Sequence, residues 1–107
     1  MTLHVGQKPS DKYNMALKQC IREAFMKQHN QSHGQLRKMH RVGIASKTLG
    51  IITRKMKRGE WAYGYPDEST MWRRLNEMAN DGDFLVFVEP KGSGWYMLAD
   101  GVVEVKP

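Results

Sequence analysis

Cysteine, long apolar runs and acidic residues are all scarce in this chain of 107 residues. Its single cysteine, Cys20, allows no internal disulfide and is typical of a reducing compartment. No apolar run approaches the roughly 18 residues that would predict a membrane-spanning helix, and residues 1–6 lack the pattern of a signal peptide. We therefore expect a cytoplasmic protein that does not engage a membrane.

The motifs of common enzyme and metal sites are also missing. There is no glycine-rich phosphate loop, no nucleophile elbow and no carboxylate pair in a recognisable setting. His29 and His33 are four residues apart, with Cys20 and His40 nearby in sequence. A metal site is nevertheless disfavoured, because residues 30–34 are turn-forming and Cys20 fits a buried helix face. We expect no enzyme activity, no cofactor and no bound metal.

Acidic residues are absent from the middle of the chain. Between Glu23 and Glu60 there is no acid, whereas nine of the 17 basic residues fall there. From Glu77 onward the balance reverses, with six acids against only Lys91 and Lys106. With a net charge of +6, this distribution favours a polyanionic partner that meets the middle third of the chain.

The length and the apolar periodicity predict one domain over residues 11–107, after an N-terminal tail of residues 1–10. A first helix, capped by Ser10 or Asp11, has apolar residues three and four apart for three turns and ends before a turn over residues 29–34. Residues 35–42 leave a short helix and a basic extended segment both open. A second helix is expected over residues 44–57, with Leu49, Ile52 and Met56 buried and Gly50 tolerated.

Residues 67–80 predict a helix with two contrasting faces. Asp67 is the expected N-cap, and Met71, Leu75 and Met78 form one buried stripe. The opposite face carries no acid. Its hydroxyl, guanidinium and amides are groups that pair with base edges and phosphates, and they belong to Ser69, Arg73, Asn76 and Asn80.

A β-hairpin is expected after this helix. Residues 84–89 read as a strand, residues 90–94 as a turn and residues 95–98 as the returning strand, while residues 102–105 could add a third strand. Both faces of the first strand are apolar, so it is either covered on both sides or lies at an interface.

Three groups of residues carry a resemblance to the winged helix-turn-helix DNA-binding domains: residues 69–78, Asp81-Gly82, and the hairpin end over residues 94–98. The resemblance covers about residues 67–98. It implies an α+β winged-helix domain, with three or four helices followed by a two- or three-stranded antiparallel hairpin sheet. It also implies that Tyr96 and Leu98 point inward, leaving Trp95 and Met97 outward.

The resemblance implies a double-stranded DNA-binding protein, and the size suggests a small transcriptional regulator of phage or mobile-element type. The helix over residues 67–80 would read the major groove, with Arg73 as the principal base-reading residue and Asn76 as its partner. The expected DNA contacts on this helix are Ser69, Thr70, Arg73, Arg74 and Asn76. Phosphate contacts are expected from the second helix and the hairpin tip, through Lys47, Arg54, Lys55, Lys57, Arg58 and Lys91.

Two other functions stay open, because the connection over residues 60–66 is longer than the three or four residues usual between the helices of a helix-turn-helix. An outward Trp95 and an acidic C-terminal part would suit a winged-helix protein-interaction module in a replication, transcription or packaging assembly, with a homodimer or protein partner at the hairpin. A single-strand or RNA binder is the third possibility, if Trp61, Tyr63 and Tyr65 stack on bases rather than pack under the helix.

Overall fold

The computed structural model describes residues 9–33 and 38–102. Within these ranges the chain forms three helices and one three-stranded antiparallel sheet, in the strand order β1-β3-β2. This small α+β arrangement is compatible with a winged-helix-like layout. The elements in chain order are α1 (Pro9–Gln31), β1 (Lys38–His40), α2 (Arg41–Lys57), α3 (Glu68–Asp81), β2 (Leu85–Phe87) and β3 (Trp95–Leu98).

The first helix is longer than the sequence predicted at both ends. It begins at Pro9, ahead of the expected cap at Ser10 or Asp11, because proline is well suited to a first helical turn. It continues to Gln31, into the expected turn over residues 29–34, since no glycine or proline interrupts the chain before Gly34. The predicted buried stripe is confirmed, and its most buried members are Leu17, Cys20, Ile21, Ala24 and Phe25.

The segment before α2 is extended over residues 38–40, whereas residues 35–37 lie outside the described residues. Residues 38–40 form β1, which pairs with β3 so that Met39 lies opposite Tyr96. The expected third strand over residues 102–105 has Val102 in a turn, and the rest of it lies outside the described residues. In the part of the chain that the structure describes, β1 is therefore the third strand of the sheet.

The second helix starts at Arg41, three residues earlier than predicted. His40 caps it, because its Nδ1 accepts a hydrogen bond from the Val42 N–H at 3.2 Å. The Arg41 N–H donates to the Gly94 carbonyl at 2.8 Å, which fixes this start to the hairpin. Of the three side chains expected to be buried, Ile52 is fully buried while Leu49 and Met56 are partly buried. The most buried positions of α2 are Ile44, Thr48, Ile51 and Ile52.

The third helix and the hairpin follow the prediction closely. Asp67 is the N-cap and accepts from the Thr70 N–H at 2.9 Å, and Met71, Leu75 and Met78 are buried. The first hairpin strand covers three residues rather than the predicted six. On β3 the inner positions are Tyr96 and Leu98, and Trp95 keeps 40% of its surface exposed. The core lies between the three helices and the inner face of the sheet.

The aromatic connection before α3 packs mainly against α1. Trp61 is buried, and its ring centroid lies 6.2 Å from that of Tyr13 and 5.2 Å from that of Tyr63. Tyr65 differs, because it is 57% exposed and its hydroxyl shares a hydrogen bond with Thr53 of α2 at 2.8 Å. Two of the three aromatic rings are thus core or near-core groups rather than an open stacking surface.

Candidate nucleic-acid interface

The outer face of α3 carries an exposed polar strip whose own side chains include no carboxylate, and the carboxylate of the N-cap residue Asp67 lies against its first residue. Four side chains on this face are all solvent-exposed, and we call them the α3 strip: Ser69, Arg73, Asn76 and Asn80. At about 1.5 Å of rise per residue, the strip is roughly 16 Å long. The Ser69 hydroxyl donates to the Asp67 carboxylate at 3.3 Å, so its lone pairs remain available as acceptors.

Asn76 is held by the sheet beneath it. The Tyr96 hydroxyl donates to the Asn76 Oδ1 atom at 2.6 Å. Burial raises the pKa of the Tyr96 hydroxyl above its ordinary value, against the opposing charge of Arg41. The hydroxyl therefore keeps its proton and stays a donor around neutral pH. Tyr96 is 4% exposed, so the hydrogen bond joins an interior side chain to the α3 strip.

Arg41 lies beside α3 although it belongs to α2. Its guanidinium carbon is 5.3 Å from the centroid of the Trp72 ring, the geometry of a cation–π contact. A side chain at Gly94 would come within 3.4 Å of the Arg41 Nε atom and 2.9 Å of the His40 Nε2 atom. Gly94 therefore leaves room for the His40 ring, with the Arg41 side chain close beside it.

Arg41 was not among the predicted site residues. Its position depends on contacts between segments far apart in sequence, which no local pattern reveals. The available signal was its place in the acid-free window.

Three of the predicted basic residues on α2 lie on one face. Lys47, Arg54 and Lys57 share this face with Gly50, and Arg54 and Lys57 are exposed while Lys47 is half-buried. A side chain at Gly50 would lie 3.9 Å from the Arg54 guanidinium, so Arg54 leans back along the helix over the glycine. None of the ion pairs within the described ranges involves these three cations.

The other two basic residues predicted on this helix are engaged by carboxylates. Lys55 lies 3.6 Å from Glu23 and joins α2 to α1, with 21% of its side chain exposed. Arg58 donates to the Glu60 Oε1 atom through Nη2 at 2.9 Å and Nε at 3.1 Å. Their charges are partly compensated within the chain, so they are less available to phosphate than those of Lys47, Arg54 and Lys57.

The prediction of Arg74 as a DNA contact requires a correction. This residue is 6% exposed and lies on the inner side of α3. Its Nη2 atom donates to Glu77 at 2.8 Å, and Glu77 also pairs with Lys18 of α1 at 3.1 Å. On the helical wheel Arg74 falls at about −60° from Met71, beside the buried stripe and away from Arg73. Arg74 therefore supports the Glu77 carboxylate that joins α3 to α1, and it is not part of the α3 strip.

Thr70 and Lys91, which were also predicted to contact DNA, occupy the margins of this surface. Thr70 is half-buried, and its backbone N–H is used by the Asp67 cap. Lys91 is exposed at the hairpin tip, where its Nζ atom lies 4.7 Å from the centroid of the Phe87 ring.

The outer face of the sheet carries a second aromatic and basic group. Trp95 contacts the His40 ring at a centroid distance of 5.1 Å, and the Lys38 Nζ atom lies 5.4 Å from its centroid. This group lies on the face of the sheet opposite the core. It is the feature that a protein partner at the hairpin would meet.

Within residues 9–33 and 38–102, no three His, Cys, Asp or Glu side chains come close enough together to hold a metal ion. Over the same ranges no helix combines the length and the apolar character needed to cross a bilayer.

Comparisons with protein-family models, with curated proteins and with solved structures found no match to this chain.

Proposed function

We propose that this chain binds double-stranded DNA as a small winged-helix domain, with α3 in the major groove. The observation that carries the proposal is the α3 strip, whose side chains are all exposed and include no carboxylate. A helix with an acidic outer face would meet phosphate repulsion as it approached a duplex. This strip instead offers a guanidinium, two amides and a hydroxyl, the groups that pair with base edges.

The dimensions of the strip support a groove contact. The major groove is about 12 Å wide and accepts one α-helix, and a strip of roughly 16 Å would follow several base pairs along it. Arg73 lies near the middle of the strip, so it is the proposed principal base contact, with Asn76 one turn further along.

Basic residues of α2 would contact the phosphate backbone. Lys47, Arg54 and Lys57 form one basic face of α2 outside the ion pairs of the described ranges, and Arg41 lies against Trp72 of α3. Such contacts position a protein on a duplex without reading its sequence. Lys91 at the tip of the hairpin, the wing of this fold, would add one more. A small transcriptional regulator of phage or mobile-element type is the biological role that we propose.

The proposal is tested by titrating the protein against a random-sequence duplex at low and high salt. We expect affinity to fall steeply with salt, because each neutralised phosphate releases counterions. Arg73→Ala should weaken binding by about 1–3 kcal/mol, as expected for a base-contacting arginine.

A charge-matched control separates a specific contact from the loss of one positive charge. Lys27 is exposed on α1 and lies outside the proposed surface, so Lys27→Ala should change affinity much less than Arg73→Ala. Equal effects of the two substitutions would remove Arg73 from the interface. No binding to any duplex at low salt would overturn the proposal as a whole.

The second candidate is a protein-interaction module, and the exposed Trp95 favours it. Exposed tryptophans are frequent anchors of protein interfaces, and this one is flanked by Lys38 and His40 on the outer face of the sheet. A hydrophobic interface there, with a protein partner or a second copy of the chain, would be nearly indifferent to salt and to Arg73→Ala. Loss of partner binding on Trp95→Ala with unchanged duplex binding would support this candidate.

A further inference from the structure

We propose that Tyr96 sets the base preference of the DNA-reading surface by fixing the orientation of the Asn76 amide. This inference rests on the proposed DNA binding and extends it from a helix face to a class of base. Its starting point is the 2.6 Å hydrogen bond from the Tyr96 hydroxyl to the Asn76 Oδ1 atom.

The hydrogen bond determines which end of the amide reaches a ligand. Asn76 is exposed, whereas Tyr96 is buried on the inner face of the sheet. Because Oδ1 is turned toward the sheet, the Nδ2 group, which carries two N–H donors, faces away from it. The amide is thereby presented to solvent as a donor.

An amide held in this way cannot pair freely with adenine. The bidentate contact of asparagine with adenine needs Oδ1 to accept from N6–H while Nδ2 donates to N7. In this protein Oδ1 already uses one of its two lone pairs for Tyr96 and is turned toward the sheet, so the paired contact with adenine is disfavoured unless the amide rotates. A donor alone is suited to the acceptors of guanine, O6 and N7, and is poorly suited to the donor of cytosine.

The neighbouring residue on the strip has the same character. Arg73 lies three residues before Asn76 on the exposed face, and its guanidinium has only donors. Arginine pairs with O6 and N7 of guanine in the commonest specific protein–DNA contact. The two side chains together would favour adjacent guanines over an adenine at the position that Asn76 meets.

The test compares the duplexes selected by the wild-type chain, Tyr96→Phe and Tyr65→Phe from a pool with a randomised core. Wild type should enrich guanine at the positions met by α3. Tyr96→Phe frees Oδ1, so adenine should gain on guanine at one position by about fivefold or more, the lower end for one bidentate pair. Tyr65→Phe is the matched control, since its hydroxyl is bonded to Thr53 of α2, and it should select as wild type does.

A double variant separates the amide from a general disturbance of the sheet. If Asn76 reads the base, Tyr96→Phe combined with Asn76→Ala should show no gain of adenine. Asn76→Ala alone should lose the preference at that one position. This variant also leaves the Tyr96 hydroxyl without its partner, so its stability is measured with the others. Thermal unfolding followed by circular dichroism checks that each variant folds.

The outcomes distinguish this inference from the function on which it rests. Salt-dependent binding with unchanged base preference in Tyr96→Phe would overturn the role of Tyr96 and leave DNA binding standing. A gain of adenine that persists without Asn76 would also overturn it. Failure of the wild-type chain to bind any duplex would overturn both.

Discussion

Glu77 shows how single residues on one helix divide between structure and the proposed binding surface. It accepts from the buried Arg74 and pairs with Lys18 of α1. Although burial alone would raise the pKa of the Glu77 carboxyl, the two cations lower it below its ordinary value. The carboxylate therefore stabilises the fold above the ordinary carboxyl pKa, and this contribution is lost as the pH falls through the lowered value.

We expect Glu77→Gln to lower the free energy of unfolding at neutral pH by about 1–2 kcal/mol, because Arg74 keeps a buried charge and loses its anionic partner. The difference from wild type should disappear as the pH falls through the lowered pKa of Glu77, since the wild-type carboxyl is then neutral too. Urea unfolding at a series of pH values measures this. Glu60→Gln is the control, because Glu60 pairs with the exposed Arg58 and should change stability little. A deficit that persists at low pH would rule out the ion pairs as its origin.

Local sequence determines the positions of some side chains on α3, whereas others depend on contacts between distant segments. The helical phase alone separates Arg73 from Arg74, because the first lies opposite Met71 and the second beside the buried stripe, so the placement of Arg74 on DNA was an avoidable error. The contacts of Arg41 with Trp72 and of Tyr96 with Asn76 could not be predicted. Each joins segments whose proximity exists only after the sheet and helices have packed.

One glycine inside α2 and one just beyond its end have opposite backbone requirements. Gly50 lies inside the helix, where an added Cβ would meet only the Arg54 guanidinium at 3.9 Å. Gly59 follows the C-cap residue Arg58 with φ of 75°, in the left-handed region. The same substitution at the two positions should therefore change stability in opposite directions.

We expect Gly50→Ala to raise the free energy of unfolding by about 1 kcal/mol, from the helix propensity of alanine over glycine. Gly59→Ala should lower it by about 1–2 kcal/mol, because a Cβ disfavours the left-handed conformation. Chemical unfolding of the two variants beside wild type measures both changes. Destabilisation by Gly50→Ala would mean that this glycine serves a close contact and is not simply tolerated.

The existence of the helices was easier to predict than their ends. Apolar spacing of three and four residues identified α1 and α3, and the Asp67 cap gave the start of α3 to the residue. The start of α2 was wrong, because it depends on the pairing of β1 with β3 and on the Gly94 carbonyl. A three-residue strand has too few residues for its own periodicity to identify it, so β1 remained one of two alternatives.

The reactivity of the buried Cys20 thiol is a probe of global unfolding of the protein. Cys20 is 1% exposed on the buried face of α1, and burial raises the pKa of its thiol to about 11 while Lys55 opposes this effect. Thiolates are the reactive form of cysteine, so the native protein should react very slowly with a thiol reagent near neutral pH.

We expect the labelling rate of Cys20 to follow global unfolding, because exposing this residue requires α1 to leave the core. Labelling in increasing urea should rise with the same midpoint as the loss of helical circular dichroism. Met15→Cys in a Cys20→Ser background is the accessible control, since Met15 is 63% exposed on the same helix and should label at once. Rapid labelling of Cys20 in native buffer would show that α1 opens independently.

The junction of β1, α2 and the hairpin has a mechanical consequence. The Arg41 N–H is bonded to the Gly94 carbonyl, and its guanidinium lies on Trp72 of α3. A ligand that displaced the hairpin would have to break this junction or carry the first turn of α2 along with it. The hairpin and α3 are therefore held in fixed relative positions before any partner binds. A partner that touches both surfaces does not have to order them on binding.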